Sequence, residues 1–164
     1  MAFTASTAGL LERIEKHVAE NLGKNWAVEP PAARAALLVR EELGRWTQST
    51  YPGAALEGSA LDPGSRRRLG LKIHSAPVTH RVEVWGMACG DEAEPAVPKG
   101  EHLGHSWVVL AHVGAPCRHL EARAAKLAAA GLKRMEIREN PALSISVWTG
   151  ASAPDGCPDC RASA

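Results

Sequence analysis

Four cysteines and seven histidines are the residues of this 164-residue chain whose types could do chemistry. Two of the cysteines fall near the C-terminal end, in Cys157-Pro158-Asp159-Cys160. Their two-residue spacing lets two thiolates hold one metal ion or close a small redox disulfide. One such pair is half of a tetrahedral zinc site, so the other half must come from Cys89, Cys117 or a histidine. Cys117-Arg118-His119 is the best partner because it opens a predicted helix, and a helix N-terminus favours thiolate. A redox role for Cys157 and Cys160 would need a helix directly after them, and the four residues that follow Cys160 do not supply one. The expectation is therefore one structural zinc on Cys157, Cys160, Cys117 and His119. The plainer alternative, an exposed tail with two idle cysteines, stays open.

Other chemical patterns are incomplete. Gly104-His105-Ser106-Trp107-Val108 begins like a nucleophile elbow but lacks the final glycine, and its strand comes after the serine rather than before it. His102 and His105 would share a metal only on a helical turn, which Gly100 and Gly104 oppose. His80 and His105 each open a strand, yet the hydroxyl that a paired His-x-Thr phosphoesterase needs is replaced by Val82 and Trp107. No glycine-rich phosphate loop is present. The acidic residues from Asp91 to Glu101 match no cation-binding spacing and read as a solvated face.

Charge gives a further candidate. The formal net charge is only +1, but Arg66, Arg67, Arg68, Lys72 and Arg81 cluster on one predicted hairpin, with six more basic residues between Arg118 and Arg138. On a common face they would form a patch for nucleic acid. Against this, no aromatic residue is interleaved for base stacking. Five Trp stand against one Tyr and one Phe. Tryptophan favours cores and interfaces, so Trp85 with Arg66, Arg67 and Arg68 is the candidate partner-binding surface on the exposed face of that hairpin.

The elements that must position these residues follow from periodicity. Leu10, Leu11, Ile14, Val18 and Leu22 recur at helical spacing and stop at Gly23. A second helix opens at Pro30-Pro31 and carries Ala36, Val39, Leu43 and Trp46. Thr47 to Ser65 holds two Pro-Gly turn signals and reads as loop. The period then changes to two: Leu69, Leu71 and Ile73 alternate with polar residues, and so do Val82 and Val84 after a Ser75-Ala76-Pro77 turn, which predicts a hairpin. Trp107 to Val113 is a continuous apolar run, as in a central strand. A third helix starts after Pro116 and ends at Gly131, and two strands around Met135 and Leu143 to Val147 turn at Asn140-Pro141.

The expected fold is an α+β domain over residues 1–150, ordered αα-βββ-α-ββ, with a three-stranded antiparallel segment and the helices on one face of a single sheet. A Gly/Pro/Ser-rich tail follows over 151–164. The N-terminus lacks a basic leader pattern and no apolar run is long enough to span a membrane, so the expectation is a cytoplasmic protein. The order resembles that of secretion chaperones and, more loosely, phage tail-terminator subunits, which implies a partner-binding scaffold. The leading functional expectation is accordingly a non-enzymatic protein-binding factor of assembly, chaperone-like or toxin-neutralising type, possessing a second protein as partner and forming a homodimer. The alternatives are a small zinc- or thiol-dependent enzyme using Cys157, Cys160 and the histidines, and a nucleic-acid binder using the arginines.

Overall fold

The computed structural model describes residues 7–24, 30–61, 67–75, 78–89 and 106–150. Its elements are α1 (Thr7–Asn21), α2 (Pro31–Thr50), β1 (Ala55–Ala60), β2 (Arg68–Ser75), β3 (Val78–Ala88), β4 (Ser106–Val113), α3 (Arg118–Ala129), β5 (Leu132–Asn140) and β6 (Leu143–Gly150). The α+β class and the order of helices and strands agree with expectation, with one strand added. All six strands form one sheet in the order β1-β2-β3-β4-β6-β5. No helix among the described residues is long and apolar enough to cross a membrane.

The helices form where the sequence marks them. Leu10, Leu11, Ile14 and Val18 are all fully buried, so the spacing of α1 is that of a core-facing stripe. Pro31 stands in the first turn of α2, where the missing N–H has no helical partner to lose. The inward face of α2 begins with small residues, Ala32, Ala33, Ala35 and Ala36, and continues with Leu38, Val39, Leu43 and Trp46. The small residues let the start of this helix lie close on the sheet.

The strands depart from expectation in two respects. The first is β1, which falls in the stretch read as loop. It is an edge strand, mostly exposed, and its sequence Ala-Leu-Glu-Gly-Ser-Ala holds no β-branched or aromatic residue. Pairing with β2, from Ala55 opposite His74 to Ala60 opposite Leu69, makes it a strand where local propensity does not. The second is that β3 and β4 run parallel, with Arg81 level with Ser106 and Ala88 with Val113. The remaining pairs are antiparallel. Both expected hairpins are present: Ser75 opposes Val78, and Asn140 opposes Leu143. The second turn is fixed by the Asn140 side-chain oxygen, which accepts the backbone N–H groups of Ala142 at 2.8 Å and Leu143 at 2.9 Å.

The helices divide between the two faces of the sheet rather than sharing one. Leu69, Leu71, Ile73, Val82, Val84, Trp107, Val109, Ile145 and Val147 form one core with α1 and α2. The alternate residues Trp85, Met87, Val108, Leu110 and Trp148 form a second core with Leu120 and Leu127 of α3 and Leu132. The cause is β4, whose run from Trp107 to Ala111 is buried throughout. A central strand that is apolar on both sides needs cover on both. Trp85, expected on an exposed hairpin face, is 1% exposed for this reason: α3 lies over it. The other described tryptophans, Trp46, Trp107 and Trp148, are buried as well.

Candidate functional site

The parallel pair fixes where chemistry collects. The carboxyl ends of β3 and β4 lie side by side, and α3 starts just beyond them. In open sheets, the crevice outside the carboxyl ends of parallel strands is where ligands and reactive groups gather. Strand alternation puts Trp85 and Met87 of β3, and Val108 and Leu110 of β4, on the α3 side. The same alternation continues to His112, which is level with Met87 and fully buried, and to Cys89 just past the end of β3.

After β4 the chain turns through Gly114, whose φ of 99° lies in the left-handed region that suits glycine. Its N–H donates to the Ala142 carbonyl at 2.7 Å, which ties the turn to the start of β6. Cys117 then caps α3 with extended backbone angles, and its carbonyl accepts the Glu121 N–H at 3.1 Å. This turn brings the Cys117 sulfur to 3.4 Å from Nε2 of His112. Nδ1 of the same ring lies 3.3 Å from the Gly114 carbonyl oxygen. A carbonyl can only accept, so in the neutral ring Nδ1 carries the proton and Nε2 presents its lone pair to the thiol. In this arrangement the ring can take the thiol proton on one nitrogen while the carbonyl holds the other.

The sulfur's surroundings favour its anion. Partial burial pushes the Cys117 thiol up, but a hydrogen bond from the Cys89 thiol and the backbone N–H groups of Leu120 and His119 outweigh it and hold the thiol below its ordinary value. Glu121 opposes them from the first turn. The neutral thiol closes no side-chain cap of its own, so the first-turn N–H groups act on the charge that forms there. Cys89 is exposed, Cys117 is half-buried, and neither forms a disulfide.

Comparison with protein-family profiles, curated proteins and solved structures gives no match for this chain.

The residues expected to bind metal are distributed differently. Cys117 is at the site, but its side-chain neighbours are His112 and Cys89, not His119. Two positions apart on a helix, Cys117 and His119 do not share a face, and His119 contributes its backbone N–H instead. Cys157 and Cys160 lie outside the described residues. Among the described residues, no group of three or more His, Cys, Asp or Glu is arranged to hold a metal ion.

The candidate partner surface turns inward. Glu83 takes a two-pronged hydrogen bond from Arg68, at 3.1 Å and 3.0 Å, and accepts the Trp85 indole N–H at 2.9 Å. Arg68 and Arg123 lie 5.8 Å and 5.6 Å from the Trp85 ring centre. Arg67 is half-buried and its carbonyl accepts the Gly86 N–H, while Arg66 lies outside the described residues. Of the later basic residues, Arg134 lies over Trp148 at 6.0 Å and Arg138 pairs with Glu15 of α1.

His112 is the residue of this candidate site that sequence reasoning missed. Its signal was present in the alternation along β4, which puts every second residue from Val108 on one face, but its relation to Cys117 appears only once α3 folds back over that face.

Proposed function

We propose that the protein acts through a reactive thiol, with Cys117 as nucleophile, His112 as its base and the Gly114 carbonyl as the group that fixes the base's tautomer. The observation that supports this most directly is the 3.4 Å contact between the Cys117 sulfur and Nε2 of His112 at the start of α3. The thiol proton passes to Nε2, and the thiolate is held by the first-turn N–H groups and the imidazolium beside it. Burial of His112 keeps competing water away from the ring. This is a thiol-dependent activity centred on Cys117 and His112.

Alkylation with iodoacetamide followed by peptide mapping tests it. Cys117 should label at least about tenfold faster at pH 6.5 than a cysteine with an ordinary thiol value near 8.5. Replacement of His112 by Gln should shift the pH profile of Cys117 upward while circular dichroism shows the fold intact. Labelling of Cys117 at the rate of an unperturbed thiol would overturn the reading.

A second reading, the protein-binding factor, is favoured by one observation. Strand β5 is a sheet edge on which Met135 and Ile137 are 46% and 37% exposed. An open edge with apolar side chains is a template for strand addition, and the simplest occupant is β5 of a second copy related by a two-fold axis. A bulge between Arg134 and Glu136 limits the continuous edge to the stretch on either side. Sedimentation should then show a dimer at micromolar concentration that Ile137→Glu converts to monomer. A wild-type monomer under the same conditions rules this association out.

A further inference from the structure

We propose that Cys117 and Cys89 are a dithiol couple that exchanges with small disulfides, using the crevice at the carboxyl ends of β3 and β4. The inference rests on the reading of Cys117 as the reactive thiol and goes beyond it by naming the second sulfur and the substrate class.

The argument starts from why a second thiol stands there. Acyl or phosphoryl transfer through a cysteine needs a nucleophile, a base and oxyanion donors, and a second thiol beside it serves there only as one more hydrogen-bond donor to the anion. Reaction with a sulfur–sulfur bond is different, because the first attack leaves a mixed disulfide that another thiol must resolve. Cys89 occupies the resolving position: strand alternation puts it two residues beyond Met87, which is level with the His112 that the Cys117 sulfur approaches to 3.4 Å, and from there its thiol is a hydrogen-bond donor to that sulfur. The two thiols come from separate elements, the end of β3 and the cap of α3, and are 28 positions apart in the chain (117 − 89). Their proximity is therefore a product of tertiary folding and not of sequence spacing, unlike that of Cys157 and Cys160.

Exposure assigns the order of events. Cys117 is half-buried beside a fully buried base, which suits the group that must lose its proton. Cys89 is exposed, so the side of the pair open to solvent, where a small disulfide arrives and its thiols depart, is the Cys89 side. The Cys117 thiolate attacks one sulfur of RSSR, forming Cys117–S–S–R and releasing RS⁻, which takes the proton held on Nε2 of His112. Cys89 then attacks the Cys117 sulfur. The bond from that sulfur to SR breaks, and the second RS⁻ leaves with the proton that Cys89 gives up. The protein dithiol and RSSR become the protein disulfide and two RSH, so two electrons pass from the protein to the substrate and no other oxidant is involved.

The test uses the reduced full-length protein with oxidised glutathione as the disulfide, acid quenching at timed intervals, alkylation and peptide mapping. The expected result is a linkage between the Cys89 and Cys117 peptides with no glutathione left on either. In Cys89→Ser, one glutathione should remain attached to Cys117, because the resolving thiol is gone. In Cys117→Ser, oxidation at Cys89 should slow at least about tenfold, in line with the loss of the thiolate that attacks. A stable glutathione adduct on Cys117 in the wild-type protein would overturn the couple and leave the reactive-thiol reading standing. So would a disulfide that maps only to Cys157 and Cys160 while Cys117 still takes iodoacetamide rapidly. A Cys117 inert to both reagents would overturn the two readings together.

Discussion

Gly86→Ala should destabilise the domain by about 3 kcal/mol, at the upper end of what overpacking a core costs, although the change adds a single methyl group. Gly86 lies near the end of β3, paired with Ala111 of β4, and its hydrogen points at the N-terminal turn of α2. A β-carbon there would overlap the Ala32 carbonyl oxygen, and would sit 2.8 Å from the Ala32 carbonyl carbon and 3.1 Å from the Ala36 methyl. Backbone and β-carbons cannot swing aside as the end of a flexible side chain can. The strand cannot yield either, because the Gly86 N–H donates to the Arg67 carbonyl at 2.7 Å and β4 holds its other edge. Relief requires α2 to lift from the sheet, which opens the core around Val84, Val109 and Leu38. Chemical denaturation followed by circular dichroism measures the loss. A change below about 1 kcal/mol would mean that α2 is seated less closely than the structure has it.

The legibility of this fold in its sequence follows from which features are local. Leu10 to Val18, Leu69 to Ile73 and Leu143 to Val147 declare their elements because one buried face repeats at the period of the element. Strand β1 does not, because an exposed edge has no buried face to repeat and Gly58 and Ser59 lower its propensity further. The direction of β4 beside β3 is a property of the connection between them, which residue types do not state. The position of α3 was half written in β4, whose two apolar faces demand two covers, yet the alternating pattern on the hairpin suggested an open face and placed Trp85 outside. The site divides in the same way. Cys117 was legible as a thiol at a helix start, since helix caps are local. His112 and Cys89 were not, because they meet Cys117 through the turn at Gly114 and the register of two parallel strands. The Cys-x-x-Cys at Cys157 and Cys160 drew attention because it is the local pattern, while the couple that folding assembles has no spacing to announce it.

Trp85→Ala should cost about 3–5 kcal/mol, as the loss of a fully buried large side chain does, and it should carry the reactive thiol with it. The ring is the largest fully buried side chain in the described structure and sits where β3, β4 and α3 meet. Its removal takes a contact from Leu120 and Leu127, which hold α3 on the sheet, and leaves the Arg123 guanidinium without the ring face it now lies over. It also removes the indole N–H that Glu83 accepts together with the Arg68 fork. Trp85→Phe keeps most of the apolar volume and loses that N–H, so its cost should be smaller than that of Trp85→Ala and nearer the 1 kcal/mol typical of one hydrogen bond. The effect at the thiol separates a local from a global role. Leu120 lies one turn from Cys117, so a loosened α3 moves the sulfur away from His112 and from the N–H groups that favour its anion. The alkylation profile of Cys117 should then shift toward that of an ordinary thiol in Trp85→Ala but not in Trp85→Phe, measured under conditions where both variants remain folded. A Trp85→Ala protein with full stability and an unchanged Cys117 profile would mean that α3 is held by its ends and not by the core beneath it.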